Sequence, residues 1–275
     1  MHIMNKFFFL PVALLLTLAA CKQDPKTTAD GKTIADSANT TNLAGHWVNL
    51  DFCARAQQYG SVLAAMNFAH LPYAYAFTFT PAYPDSVELF NGMEKWMLPV
   101  SIKADTIEIK GARPGKSVFL IFDSQGTKDI TMFDPSPSGM HTDHFIKSKA
   151  GAKDGYTSFT TALNHNLFSG VFSPDGDKTK NPPMQFTPGG FILNFKDYDR
   201  YELCTAGDCF VVDDKTDVIT FSKSKQENSN KIFGFKYSNQ NDTLTFYDLI
   251  NMNPAEKGSY KLGKPVYKLA RKKAE

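Results

Sequence analysis

The sequence predicts an all-β protein of two tandem antiparallel β-barrel modules, the first with a short helical insert after its first strand. Three observations lead to this fold class. The second half of the chain repeats the first, short runs alternate apolar and polar residues, and turn sequences separate these runs at regular intervals. Alternation at period two places one side of a strand inward and the other in solvent, and regularly spaced turns are typical of sandwiches and barrels.

The internal repeat defines the two modules. Glu88-Leu89 recurs as Glu202-Leu203, 114 positions later. The same offset relates three further pairs: Trp96 and Phe210, Val118-Phe119 and Ile232-Phe233, and residues 131–134 and 245–248. Repetition at one period is the signature of a duplicated structural unit. We therefore predict barrel modules over residues 43–150 and 164–273, joined by a linker over residues 151–163.

The strands within each module are half-buried. In the run Thr106-Ile107-Glu108-Ile109-Lys110 every second side chain is a large apolar one. About eight such runs can be counted in each module, separated by turn sequences such as Asn91-Gly92 and Pro114-Gly115. A closed barrel of this size leaves no unpaired strand edge, which favours it over an open sheet.

One segment of the first module departs from the strand pattern. Residues 52–68 contain four alanines together with Leu63 and Met66, have few β-branched residues and carry Gly60 near their middle. This composition predicts two short helices with a hinge at the glycine. The equivalent stretch of the second module, residues 173–183, is polar and is predicted to be a loop.

The N-terminus has the layout of an export signal. A single cationic side chain, Lys6, precedes a short apolar run over residues 7–16, which is too short for a membrane span. The following segment Leu18-Ala19-Ala20-Cys21 resembles the lipobox of bacterial lipoproteins. The resemblance implies that residues 1–20 are removed and that Cys21 carries acyl chains that make the membrane a partner. We expect a lipid-anchored protein in the cell envelope, at the outer membrane of a Gram-negative bacterium, with its periplasmic or outward face left open.

The segment after Cys21 is predicted to be a tether. Residues 21–42 contain almost no large apolar side chains, so burial cannot offset the entropy lost on ordering them. A coil of about 20 residues spans roughly 25 Å, enough to hold a folded unit away from a membrane. The formal net charge of +2 offers no concentrated basic surface, which argues against a nucleic-acid partner.

The start of each module carries a second resemblance. Gly45-His46-Trp47 opens the first strand of module one, and Gly170-Val171-Phe172 stands at the same place in module two. This arrangement resembles the lipocalin-like proteins, which share a Gly-x-Trp at the start of strand one. The resemblance implies an up-and-down barrel that holds a small apolar ligand beneath a helical lid. In this group the aromatic residue of the motif closes one end of the barrel, here called the floor, beneath a basic side chain from the last strand. The resemblance therefore implies Lys147 or Lys149 as the basic residue in module one, and Arg271 in module two.

The aromatic content suggests where a ligand would bind. Aromatic residues make up 13% of the chain, and several alternate along one predicted strand or lie in the insert. We expect an apolar or amphipathic ligand to contact Trp47, Tyr59, Met66, Phe68, Tyr73, Tyr75, Phe77, Phe79 and Trp96. The same rings could equally fill a solid core, as side chains do in many small barrels. The alternative is therefore a structural or protein-interaction module that meets another envelope protein, and a void of about 300 Å³ or more would favour the binder.

The cysteines and histidines give no sign of catalysis. Cys204 and Cys209 face each other across a predicted hairpin and are expected to form a structural disulfide, and Cys53 is expected to be a buried thiol. His141 and His144 should point to opposite faces of a strand, which prevents them from sharing one metal ion without a bend. The chain has no Gly-x-Ser-x-Gly nucleophile motif. We therefore predict no catalytic residue, no metal site, no cofactor and a non-enzymatic role.

Overall fold

The computed structural model describes residues 42–66, 71–122, 128–149, 151–175, 182–205, 216–226, 229–238, 242–252 and 260–272. The predicted signal, the acylation residue Cys21 and the tether up to residue 41 lie outside these ranges, as do Phe68 and Cys209. Among the described residues, no helix has the length and apolar character needed to cross a bilayer.

The first module is a closed barrel of eight antiparallel strands. They are β1 Gly45–Asn49, β2 Ala76–Phe79, β3 Ser86–Phe90, β4 Lys95–Lys103, β5 Thr106–Arg113, β6 Lys116–Phe122, β7 Asp129–Ser136 and β8 Gly139–Lys147. Each strand pairs with the next, and β8 returns to β1 with Trp47 opposite Lys147. The alternation follows the prediction, since Ile107 and Ile109 of β5 are fully buried while Glu108 between them is partly exposed.

The second module is an eight-stranded antiparallel sheet that is almost closed. Its strands are β9 Gly170–Pro174, β10 Met184–Phe186, β11 Ile192–Leu193, β12 Arg200–Leu203, β13 Asp217–Ser222, β14 Lys231–Tyr237, β15 Thr243–Asn251 and β16 Tyr260–Arg271. They follow the order β11-β10-β9-β16-β15-β14-β13-β12. The two end strands meet through a bridge between Phe191 and Arg200 and a hydrogen bond from the Tyr201 amide to the Gly190 carbonyl, 2.8 Å. The predicted fold class of two tandem barrels is confirmed.

The two barrels share the expected floor. Gly45 and Gly170 have φ angles of +123° and +155°, and a Cβ at either position would lie within about 3 Å of a cationic side chain. In the first barrel Lys147 Nζ lies 5.6 Å from the Trp47 ring centroid. In the second barrel Arg271 Cζ lies 4.7 Å from the Phe172 ring. Of the two lysines proposed for the first floor, Lys147 is the one above the ring.

One segment of the predicted repeat is out of phase. The offset of 114 residues equates Phe119 with Phe233, but Phe119 is 37% exposed and Phe233 only 1%. In β6 the inward residues are Val118 and Leu120, and in β14 they are Phe233 and Phe235. A shift of one residue transfers every side chain to the other face of a sheet. The correct match between these two strands therefore differs from the predicted offset by an odd number of residues.

The insert of the first module forms two helices, as predicted. Helix α1 spans Leu50–Tyr59 and helix α2 spans Val62–Met66. The Asn49 side chain accepts a hydrogen bond from the Phe52 amide (2.8 Å), and Gly60 ends α1 with a φ of 61°. The hinge at Gly60 is thus a left-handed helix cap, a conformation that glycine adopts without steric cost.

The segment predicted as a linker is an ordered part of the fold. Residues 151–163 contain helix α3, Gly155–Leu163, which continues into a π-helical turn over Asn164–Phe168. The Asp154 carboxylate caps α3 by accepting from the Thr157 amide at 2.7 Å. Phe159 and Leu163 are fully buried. The segment that connects the two modules therefore contains a helix, whose apolar stripe was not anticipated from the polar residues before Gly155.

The helices join the modules. One contiguous apolar group, here called the junction cluster, links the outward side chain Val48 of the first barrel, α1, α2 and α3 to the interior of the second barrel. Phe52, for example, stacks on Tyr75 at 4.3 Å and meets Phe159 of α3 at 5.8 Å. The interior of the first barrel is a separate cluster around Trp47. The insert was expected to be a lid, but its buried side chains pack between the modules and not over the first barrel's interior.

Candidate ligand cleft at the mouth of the first barrel

The interior of the first barrel is filled. The Trp47 and Phe77 rings stack at 6.1 Å, and Phe77 meets Phe145 at 4.7 Å and Phe79 at 5.7 Å. The Trp47 indole also donates a hydrogen bond to the Leu43 carbonyl, 2.9 Å. Trp47, Phe77 and Phe79, which we predicted to be ligand residues, therefore belong to the packed core.

A cleft lies at one end of this barrel, where β1, β3 and β5 end. Its volume is about 520 Å³. The segment before β2 contributes Tyr73 and Tyr75, β4 contributes Trp96, and β5 contributes Arg113. Met66 at the end of α2 borders the cleft from one side, and the remaining wall is formed by Leu71, Pro72, Asn91, Met93 and Thr205. This volume lies within the range of small-molecule sites, and the lining is mostly apolar with a few polar groups.

Tyr73 and Trp96 form the aromatic wall of the cleft. Their rings meet edge to face with centroids 5.9 Å apart. Burial raises the pKa of Tyr73 above its usual value, so its hydroxyl, already neutral at physiological pH, loses its proton even less readily. The edge-to-face arrangement is a favourable geometry for two rings. The contact between the two rings therefore fixes their orientation along the cleft.

An ion pair holds the base of the cleft. Arg113 donates two hydrogen bonds to Asp134 of β7, from Nε at 3.0 Å and from Nη2 at 2.6 Å. The Asp134 side chain is 1% exposed and that of Arg113 is 30% exposed. These hydrogen bonds raise the pKa of Arg113. Arg113 Cζ also lies 4.8 Å from the Tyr73 ring centroid. The charge of the guanidinium is therefore balanced by Asp134, and one of its faces is covered by the Tyr73 ring.

The structure brings together four of the nine predicted ligand residues. Met66, Tyr73, Tyr75 and Trp96 line the cleft. Tyr59 lies at the end of α1 with 43% of its surface exposed and does not line the cleft. Phe68 lies outside the described residues. The sequence analysis did not identify Arg113 and Asp134. Asp134 continues the inward series Ile130 and Met132 of β7, and an acidic residue at an inward position indicates a buried charge that needs a partner.

The two histidines of β8 have separate partners. His141 Nε2 lies 2.8 Å from Ser138 Oγ, and His144 Nδ1 lies 2.9 Å from Asp51 Oδ2. Within the described ranges, no three histidine, cysteine or acidic residues are grouped as a metal site requires.

The cysteines differ in their environments. Cys53 of α1 is buried, as predicted, and burial raises the pKa of its thiol to about 12. Such a thiol is almost entirely protonated at neutral pH and is therefore unreactive. Cys204 is buried at the end of β12, while its predicted partner Cys209 lies outside the described residues.

The disulfide between Cys204 and Cys209 thus stays a prediction. We expect peptide mapping of the purified protein without reduction to recover the fragment that contains both cysteines in its oxidised form, lighter than the dithiol by two hydrogen atoms and unmodified by an alkylating reagent. The loop between them is short, so reduction should cost only modest stability in the loop-entropy account. Quantitative alkylation of both thiols before reduction would contradict the prediction, and Cys53, alkylated only after unfolding, serves as the internal control.

No protein-family model matches the chain, and neither a curated protein nor a solved structure matches it significantly.

Proposed function

We propose that this protein is a membrane-anchored, non-enzymatic lipoprotein that binds a small neutral ligand, apolar or amphipathic, at the mouth of its first barrel. The observation that carries the proposal is the aromatic-walled cleft of about 520 Å³ above a filled core. A ligand of this class would rest on Tyr73 and Trp96, with Met66 beside it. It would sit at the mouth because the interior already holds its own side chains.

The charge of the cleft supports a neutral ligand. Arg113 is the cationic residue in the described lining, and its guanidinium already donates hydrogen bonds to both carboxylate oxygens of Asp134. An anionic ligand would have to compete with this buried carboxylate, and a cationic ligand would face the guanidinium. Burial of either charge without a partner is costly.

The envelope location belongs to the same proposal. It rests on the segment Leu18-Ala19-Ala20-Cys21, with acylation at Cys21 and a tether behind it. The lipocalin-like relationship is likewise proposed. It is supported by the paired floors, in which Lys147 lies over Trp47 and Arg271 over Phe172.

A neutral apolar fluorophore tests the cleft. We expect N-phenyl-1-naphthylamine to gain fluorescence on binding and to receive energy from tryptophan, since Trp96 lines the cleft and the chain has only 2 tryptophans. Trp96→Ala should weaken binding about tenfold, the effect of losing one aromatic contact at a binding site. Tyr59→Ala is the matched control, because it removes a half-exposed ring outside the cleft and should leave the affinity unchanged.

The second candidate is a structural or protein-interaction module. The packing inside the first barrel favours it, because Trp47, Phe77 and Phe145 occupy the interior where a carrier would hold its ligand. The two candidates differ in the fluorophore experiment. Failure of the fluorophore, and of a panel of neutral lipids, to bind or to raise the melting temperature would reject the binder and favour the interaction module.

A further inference from the structure

A polar cleft, here called the outer cleft, lies on the outer surface of the second barrel between α3 and the strands β12 and β13. Its volume is about 440 Å³, within the range of small-molecule sites. Tyr201 of β12 and Phe221 of β13 are buried in the barrel interior, so the residues on either side of each point outward. The outer cleft is therefore built on the face of the sheet that does not form the barrel core.

The sheet contributes four polar side chains to the outer cleft. Glu202 of β12 lies opposite Thr220 of β13, and Arg200 lies opposite Ser222. The Arg200 guanidinium stacks on the Phe191 ring with Cζ 3.6 Å from the ring centroid. Stacking engages the face of the guanidinium and leaves its N–H groups at the edge as donors. A ligand along these strands would thus meet a carboxylate acceptor, guanidinium donors and two hydroxyls that can do either.

Helix α3 supplies the facing wall of the outer cleft. The Tyr156 hydroxyl donates a hydrogen bond to Glu202 Oε1, and the Tyr156 ring meets Phe90 edge to face at 5.5 Å. These contacts fix the ring and one carboxylate oxygen. Leu163 of the same helix adds an apolar surface, and the turn over residues 189–190 borders the cleft from another side. The outer cleft therefore combines a polar wall with a smaller apolar one.

The charges of the outer cleft favour a neutral ligand. In its described lining, Glu202 is the acid and Arg200 is the base, and the two are neighbours on one face of β12. A ligand with a net charge would gain from one of them and be repelled by the other. The charged groups around the lining are also balanced, since Asp154 lies 2.8 Å from Lys95 and the charge of Lys223 acts on Asp199.

We propose that the outer cleft binds a neutral saccharide, whose hydroxyls exchange hydrogen bonds with Arg200, Glu202 and Thr220 while a C–H face of the sugar rests on Tyr156. Each sugar hydroxyl both donates and accepts, which suits a wall of mixed donors and acceptors. Neighbouring hydroxyls can pair with both N–H groups of a guanidinium or both oxygens of a carboxylate. The proposal goes beyond the neutral apolar or amphipathic ligand of the first barrel and does not depend on it.

Amide NMR of the purified protein, isotope-labelled at glycine alone, tests the outer cleft. Gly189 and Gly190 line it, while Gly111 and Gly115 lie in the first barrel outside both clefts. We expect at least one of maltose, cellobiose, lactose and N,N′-diacetylchitobiose, at millimolar concentration, to shift the Gly189 and Gly190 signals saturably and to leave Gly111 and Gly115 unchanged. No shift with any of the four would overturn the proposal. So would a stronger response to glycylglycine, a zwitterion that matches both charges but has no hydroxyls.

Glutamate variants provide the matched comparison. Glu202→Gln should weaken disaccharide binding about tenfold, because hydrogen bonds to a charged acceptor are stronger than those to a neutral one. Its amide oxygen can still accept from Tyr156, so the cleft keeps its shape. Glu108 is an outward glutamate of the first barrel that accepts from Ser117 Oγ at 2.6 Å, and Glu108→Gln should have no effect. Equal affinities of Glu202→Gln and the wild type would overturn the proposal.

A tryptophan variant separates the two clefts. Thr205 borders both of them, so a sugar stacked on Trp96 must be distinguished from one in the outer cleft. Trp96→Ala should weaken fluorophore binding and leave disaccharide binding unchanged. Loss of disaccharide binding in this variant would place the sugar in the first cleft and overturn the proposal. Failure of the fluorophore to bind would not alter the glycine signals, so the two proposals can fail separately.

Discussion

Replacing Arg113 by alanine is expected to lower the free energy of unfolding by about 3 kcal/mol, the usual cost of breaking a buried ion pair by removing one partner. The loss follows from the environment of Asp134, whose carboxylate has almost no contact with water and receives two hydrogen bonds from the guanidinium. Without Arg113 this carboxylate stays buried with no countercharge. Urea unfolding followed by circular dichroism measures the change.

A double variant separates the ion pair from the packing around it. Arg113→Met with Asp134→Leu removes both charges while keeping apolar volume at both positions. Replacing a buried pair by apolar residues is often neutral or stabilising, so the double variant should regain most of the stability that R113A loses. Equal losses in R113A and in the double variant would show that the charge on Asp134 is not the cause.

The same variants report on the cleft. The guanidinium lies against the Tyr73 ring, which in turn meets Trp96. R113A should therefore loosen the aromatic wall and weaken fluorophore binding even where the protein remains folded. The double variant keeps an apolar side chain against Tyr73 and should retain more of the affinity.

Much of the fold could be predicted because its signals are local. Period-two alternation identified strands such as β5, and Gly60 identified the hinge between α1 and α2. The duplication alone indicated that Gly45 and Gly170 occupy matching positions in the two barrels. The phase of β14 could not be predicted, because Ile232-Phe233-Gly234-Phe235 has no polar residue to distinguish its two faces. Only the pairing with β13 and β15 shows which of these side chains point inward.

The site was predicted less completely, for a physical reason. An aromatic side chain satisfies a packed core and a ligand pocket equally well, so Trp47 and Phe77 could not be distinguished from Tyr73 and Trp96 by residue type. The pairing of Arg113 with Asp134 joins β5 to β7 across the intervening β6, and no local pattern connects residues that far apart in the chain. Whether a ring can contact a ligand depends on its depth within the barrel. No local sequence pattern encodes that depth.

Replacing Asp217 by asparagine is expected to make the protein more stable than the wild type at pH 7, by about 3 kcal/mol in the free energy of unfolding, and equally stable near pH 4. Asp217 opens β13 in the second module, is only 3% exposed, and accepts a hydrogen bond from the Leu63 amide of α2 at 2.9 Å. It therefore caps a helix of the first module from the second. Burial raises its pKa from the usual 3.8 to about 6.

The sign of the effect follows from the two pKa values. An acid whose pKa is raised in the folded state holds its proton more tightly when folded, so its contribution to stability is complete below about pH 4 and is lost as the pH rises through 6. Asparagine presents a neutral acceptor at every pH. The variant D217N should match the wild type near pH 4 and be the more stable of the two at pH 7.

Denaturant unfolding of both proteins from pH 4 to pH 7 measures this difference. Asp199 supplies a control of opposite sign, because hydrogen bonds from Ser224 lower the pKa of its carboxyl. D199N should therefore be less stable than the wild type throughout pH 4 to pH 7, and the gap should close only below about pH 4, where the carboxyl becomes protonated. If the gap between D217N and the wild type does not change with pH, Asp217 must be solvated at the junction, and the two modules must separate enough to admit water there.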